Sequence, residues 1–408
     1  MRRYRTWGGR YRQAGVTLIE MMIAVLISLV LSIAVMMVMS TFEGRRRTLG
    51  STSDMDQTSA LAMFQLDRWI RSAGSGLVQG NSYTYGCKIL ATLSSTQILP
   101  ATSALPAPFA SVNPGTSGVF RVAPVMILPG QTTPGISGQA SDVLVVMSTG
   151  NDASQVPAPV GGPPTASSIP VSNITEFSPR DLLLLTDQQS ATGGGPKDCM
   201  VSQAASTLST GGTGTALPLG GTGTTYYAST INSVAITAFT DQTTVSDLGG
   251  AVIGGTSQPP SFQVIGVGDN NTLYSYDLLQ IAGTTAQPQA EGVFEMHALY
   301  GINSTGSSNN KVDSWVDASS TSAYSVSALS DGSATARGLL KRIRAVRVAL
   351  IMRTSLPEKD VVKASTTLTM FSDLSSYGVN LTRTLSTAEQ HYRYRVVEST
   401  IPVRNNNF

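Results

Sequence analysis

The stretch that most limits what this chain can become lies near its start. From Met21 to Phe42 it reads MMIAVLISLVLSIAVMMVMSTF, twenty-two residues without a charge. A helix of that length spans roughly 33 Å at about 1.5 Å per residue, enough to cross a bilayer core of about 30 Å. The first fifteen residues carry Arg2, Arg3, Arg5, Arg10 and Arg12 and no acid. Positive flanks stay cytoplasmic, so the pattern predicts a single pass with the C-terminal bulk exported. One acid is out of place. Glu20 stands at the edge of the apolar helix, where an unpaired charge costs a few kcal/mol or more.

Gly15-Val16-Thr17-Leu18-Ile19-Glu20 sits at the head of that helix. With the leader charge and the helix length, it resembles the type IV prepilin signal. In that family a dedicated peptidase cuts after the glycine, ahead of the helix. An ordinary signal peptide is cut behind its apolar segment. The resemblance implies cleavage between Gly15 and Val16, N-methylation of Val16, and Glu20 as fifth residue of the mature chain. Val16 departs from the pattern, since that position is more often Phe or Met. The apolar helix also lacks the Pro or Gly that major pilins usually carry. Three regions are expected: a cytoplasmic leader at 1–15, a long helix at 16–75 that is transmembrane over about 18–42, and an exported β-rich region at 76–408.

The helix is expected to continue outside the membrane. Arg45, Arg46 and Arg47 mark the outer surface, where arginines reach lipid phosphates. Met55, Thr58, Ala62, Leu66, Trp69 and Ala73 then recur at helical spacing and predict one buried stripe. Gly74 and Gly76 end it. The stretch LDRWIRSAGSG at 66–76 is similar to the corresponding segment of PilW-family minor pilins and of J-type minor pseudopilins. It supplies Asp67-Arg68, Ile70-Arg71 and Ala73-Gly74. Gly86-Cys87, Tyr300-Gly301-Ile302-Asn303, Val312-Asp313-Ser314-Trp315 and a closing strand from Tyr392 to Asn405 extend the likeness. It covers about residues 10–75, 290–353 and 390–405.

That resemblance implies an α+β, pilin-like fold: a long N-terminal helix on antiparallel sheet with long polar loop insertions. It also implies a minor pilin that helps prime pilus assembly at or near the filament tip, in the setting of adhesion and twitching motility. The implied partners are prepilin peptidase, the major pilin, other minor pilins and a large tip adhesin, with no cofactor. The implied location is the inner membrane, N terminus cytoplasmic, and then the pilus. A minor pseudopilin of type II secretion shares the pattern. A tip adhesin or DNA-binding subunit is a further alternative.

Removing the leader takes its five arginines, so the formal net charge falls from +2 to −3. A near-neutral chain argues against a nucleic-acid-coating protein. Cys87 and Cys199 lie on the oxidising side and are disulfide candidates, closing a loop of roughly 110 residues; two separate thiols are the alternative. Short strands are expected at Gly118 to Val122 and Val125 to Leu128, and buried ones at Val143 to Met147 and Asp181 to Asp187. Residues 188–232, with GGTGT at 211–215 and 220–224, read as a flexible surface insertion. They lack the Lys-Ser/Thr of a phosphate loop. Phe262 to Val267 and Leu273 to Leu279 flank Asp269-Asn270-Asn271 and predict a hairpin. That turn has too few carboxylates for calcium. Val293 to Tyr300 alternates as a half-buried strand. Leu339 to Met352 reads as strand-like and is rich in base: Lys341, Arg342, Arg344 and Arg347, followed by Arg353, form a candidate patch. A solvated strand face is preferred there to an anionic partner. His297 and His391 are read as strand residues, and neither a nucleophile elbow nor zinc spacing occurs. Nothing nominates an enzyme or a metal site.

Overall fold

The computed structural model describes residues 15–80, 82–116, 118–132, 141–150, 156–189, 197–209, 211–250, 259–306 and 311–406. The leader arginines lie outside them, as do the side chains of Arg45 and Arg47. One helix runs Leu18–Ser72. The chain forms two compact units, one up to Asp54 and one from Met55 onward.

In the first unit every apolar side chain from Val16 to Phe42 is exposed, Leu18 by 80%. Among the described residues nothing covers this segment, and a helix apolar on all sides has no polar face to leave in water, so it calls for an apolar environment outside the chain. Its few hydroxyls are matched inside the helix. Ser28 Oγ donates to the Val25 carbonyl at 2.9 Å, Ser32 Oγ to Ser28 at 2.8 Å and Thr41 Oγ1 to Met37 at 2.9 Å. They therefore need no water, which suits lipid or a helical bundle.

The second unit opens with the amphipathic end of the same helix. Met55, Ser59, Ala62, Leu66, Ile70 and Ala73 are buried, and Thr58 and Trp69 half-buried. The expected stripe is there, centred slightly to one side. Gly74 and Gly76 follow at φ +78° and +65°. A Cβ on Gly76 would also fall 2.4 Å from the Thr149 side chain, so only glycine fits this stop.

Three sheets of four or more strands follow among the described residues, beside three two-stranded ones. The first has six strands in the order Thr96–Leu99, Ile89–Leu93, Cys199–Gln203, Asp181–Asp187, Thr243–Gly250, Ala158–Pro159. The second has five: Gln287–Glu291, Thr272–Asp277, Ser261–Gly268, Ser141–Ser148, Val125–Thr132. The third has four: Ser314–Val316, Val293–Ile302, Ile343–Arg353, Tyr394–Pro402. Pairing is antiparallel except between Ile89–Leu93 and Cys199–Gln203, which run parallel. Cys87 and Cys199 are disulfide-bonded at the head of that parallel pair, with Cα atoms 5.7 Å apart and both side chains fully buried. One core holds the helix stripe, the five-stranded sheet and the inner face of the four-stranded sheet.

Several expectations held. Ser141–Ser148 and Asp181–Asp187 are buried along their whole length. The hairpin pairs Gly268 with Thr272 around Asn270 and Asn271, both at positive φ. Others did not. Gly118 to Val122 is not a strand; it contributes a lone bridge between Arg121 and Lys88. The 188–232 segment, where described, is no loose insertion: Cys199–Gln203 is a fully buried central strand, and Leu217, Leu219 and Tyr226 are buried. Val293–Ile302 is buried on both faces rather than half-buried. Met296, Ala298 and Tyr300 face the main core, while Phe294 and Leu299 lie under Leu368, Met370, Phe371, Leu374 and Leu385.

Candidate functional site

Among the described residues, the expected cleavage position at Gly15 and Val16 is open. Nothing lies within 4 Å of where a Gly15 Cβ would stand, and Val16 is 68% exposed. Thr17 precedes the first helical residue, Leu18. The Glu20 amide donates to the Thr17 carbonyl at 3.0 Å and meets its Oγ1 at 3.4 Å. Thr17-Leu18-Ile19-Glu20 therefore has the spacing of a helix capping box, in which a glutamate three residues past the cap suits the positive end of the helix dipole. The Glu20 side chain is exposed.

The basic run does not form a patch, and the reason is local structure. Residues Ala334–Arg342 are a short helix capped by Ser333, and the strand starts only at Ile343. The five cations point to separate tasks. Lys341 reaches Ser82 Oγ at 3.3 Å and Arg342 the Ser304 carbonyl at 3.2 Å. Arg344 is buried and donates to the Lys341 and Asn406 carbonyls. Arg347 is paired with Asp373 at 2.9 Å and Glu398 at 2.8 Å. Arg353 is buried at the far end of the strand, its guanidinium between the rings of Phe294 and Tyr392.

The closing strand ends in a lock that its sequence did not announce. Asn405 Nδ2 lies 3.5 and 3.3 Å from the Arg71 and Ser72 carbonyls, the last of the long helix. Asn406 Nδ2 donates to the Leu340 and Ile343 carbonyls, both at 2.8 Å, and its Oδ1 accepts from the Tyr85 hydroxyl at 3.0 Å. The closing Asn405, with Asn406 beside it, thus ties the helix C terminus, the loop before Cys87 and the four-stranded sheet together. The Tyr300-to-Trp315 segment is also a packing motif. Gly301 pairs with Trp315, and a Cβ on Gly301 would come within 2.9 Å of the indole.

His297 is a strand residue, as expected, but it belongs to a charged cluster. Its Nε2 lies 3.3 Å from Glu295 and its Nδ1 3.7 Å from Asp142. Burial lowers its pKa, but the two carboxylates outweigh burial and push it up to about 9. Glu295 also accepts from Arg383 at 2.6 Å, and Arg383 reaches Glu389 at 2.8 Å. This chain of alternating charge fastens the 367–389 segment over the sheet. Among the described residues no set of histidine, cysteine and carboxylates could hold a metal ion.

Comparison with known proteins bears on both ends of the chain. Residues 264–405 match the family model of the type IV pilus-assembly protein W, PilW. Residues 10–36 match the prokaryotic N-terminal methylation motif. No curated protein and no solved structure gives a significant match. The two family matches, with the long helix and antiparallel sheets, support a type IV pilin similar to PilW. The prepilin motif and apolar helix go with membrane anchoring and pilus association.

Proposed function

We propose that this PilW-like chain is a minor pilin that primes pilus assembly and stays at or near the filament tip. Prepilin peptidase cuts between Gly15 and Val16, and the Val16 amine is methylated. The observation that carries this reading is the helix Leu18–Ser72, which buries nothing along its first half and a single stripe along its second. A helix with that division needs an apolar environment first in the membrane and then among the helices of a filament. Its partners in this reading are the major pilin, other minor pilins and a large tip adhesin.

Glu20 sets the axial register of docking. In lipid it sits at the interface and stays hydrated; in a helical bundle water is scarce, and a carboxylate there must meet a cation. The available cation is the Val16 amine of a neighbouring subunit, a charge-assisted pair. The test compares wild type with Gly15→Trp, Glu20→Gln and Glu20→Leu in cells. Gly15→Trp should leave the full-length precursor, as read by intact mass. Glu20→Gln and Glu20→Leu should be cut and inserted normally, yet their share in sheared pili should fall at least about tenfold, as expected for losing one charge-assisted bond. Trimming of the Gly15 variant at Val16 would refute the processing site. Wild-type incorporation of Glu20→Leu would refute the register role.

A further inference from the structure

Beside the four-stranded sheet a cleft of about 950 Å³ opens between the segment after Arg353 and the 383–392 turn. Its polar lining includes Arg353, Glu358, Arg383, Glu389, His391 and Tyr392. The charges of this lining are not evenly matched. Glu389 is taken by Arg383, which also holds Glu295. Glu358 is taken by Arg393 at 2.5 Å, and its carbonyl faces His391 Nδ1 at 3.0 Å. Arg353 has no such partner. It is 3% exposed, it makes no ion pair with a described residue, and its Nε is buried without an acceptor. Its neighbour on the protein side is the neutral Tyr394 hydroxyl, so among the described residues no carboxylate balances its charge.

What Arg353 has instead is orientation. The Phe294 centroid is 4.6 Å from its Cζ and the Tyr392 centroid 4.4 Å. Two aromatic faces fix the plane of the guanidinium and partly replace water around its charge. They leave the edge of the guanidinium uncovered apart from the Tyr394 hydroxyl, and edge donors are the ones that meet an anion. A buried cation without an acid, held flat by two rings at the wall of a cleft, is built for a ligand that brings the missing charge.

We propose that the Arg353 cleft binds a carboxylate, received in the plane of the guanidinium. Tyr392, Pro357 and Leu385 give the wall a flat apolar part, suited to the ring of an acidic sugar or the last side chain of a peptide. The shared chemistry is one carboxylate beside a compact apolar face. This site lies in the unit from Met55 onward and works whether or not the chain is in a filament.

The experiment is calorimetric titration of the full-length protein in detergent with four probes. They are glucuronate, methyl glucoside, a tetrapeptide with a free C terminus and the same peptide amidated. At least one acid should saturate a single site while its neutral counterpart does not, and the better acid names the source. Arg353→Met should weaken that acid at least about tenfold, the loss of a charge-assisted contact. Because Arg353 is buried, a second variant leaves the core untouched. Ala388 is exposed on the cleft wall, and Ala388→Glu puts a competing carboxylate there. It should weaken binding by a similar factor with an unchanged melting temperature. No saturation by either acid at about 10 mM overturns the proposal, since that is weaker than one well-formed ion pair with apolar contact provides. Equal binding of acid and neutral probe, or wild-type affinity in Ala388→Glu, overturns it as well.

Discussion

His297 is held between Asp142 and Glu295 on a strand covered from both sides, and that position gives the fold a pH dependence. Its folded-state pKa of about 9 stands above the ordinary 6.5. The protonated ring therefore stabilises the fold fully below about pH 6.5, and that contribution is lost as the pH rises through about 9. A shift of this size corresponds to up to ~3 kcal/mol. Asp277 acts in a lower window. Burial pushes it up to about 6 against three backbone amides, so its effect falls between about pH 4 and 6. Urea unfolding of wild type should show a falling midpoint from pH 6.5 to 9, and His297→Gln should flatten that slope. An unchanged slope in the variant means that another group titrates there. The sequence placed His297 on a strand correctly. It could not show the cluster, because Asp142 comes from the five-stranded sheet and Arg383 and Glu389 from the segment that covers the strand.

Among the elements, those with an intrinsic period were the legible ones. The helix stripe, the buried strand at Asp181–Asp187 and the Asn270-Asn271 hairpin all follow from spacing and turn chemistry within a few residues. The misreadings came where a second layer changed the environment. Val293–Ile302 alternates in sequence, but Leu368 to Leu385 covers its outer face, so both registers are buried. The run from Leu339 to Met352 looked like one basic strand. Ser333 caps a helix that takes up its first third, and the strand then turns Arg344 inward and sets Arg347 against acids. The lock after Tyr394–Pro402 gives the sharpest test at this scale. Asn406→Ala removes three hydrogen bonds and strands buried partners at about 1–3 kcal/mol each. Chemical denaturation should show a loss of about 3 kcal/mol or more. Asn405→Ala loses only two long contacts at the helix end and should cost no more than about 1 kcal/mol. If the two variants are equally mild, Asn406 is not a structural centre.

Across the whole molecule, one covalent bond and one set of amides join parts that are far apart in sequence. The disulfide spans 112 residues, and the Pro-rich stretches around 100–140 and 150–172 lie inside that span. A cross-link of this reach contributes about 4.7 kcal/mol in the chain-entropy picture. The double variant Cys87→Ala, Cys199→Ala should lose about 2–5 kcal/mol by thermal unfolding; a melting temperature like that of wild type would show that the six-stranded sheet holds by itself. Compartment alone suggested this pair, whereas the parallel strands it joins gave no sequence signal. The amide lock reaches further still. Asn405 meets carbonyls of residues that precede it by 334 and 333 positions. Those carbonyls end the helix Leu18–Ser72, and their partner is made among the last residues described. During synthesis, then, the end of the helix waits uncapped while hundreds of residues are translated behind it. A chain broken off before Asn405 carries the whole helix with its last carbonyls unmet, so completeness of synthesis is written into how that helix ends.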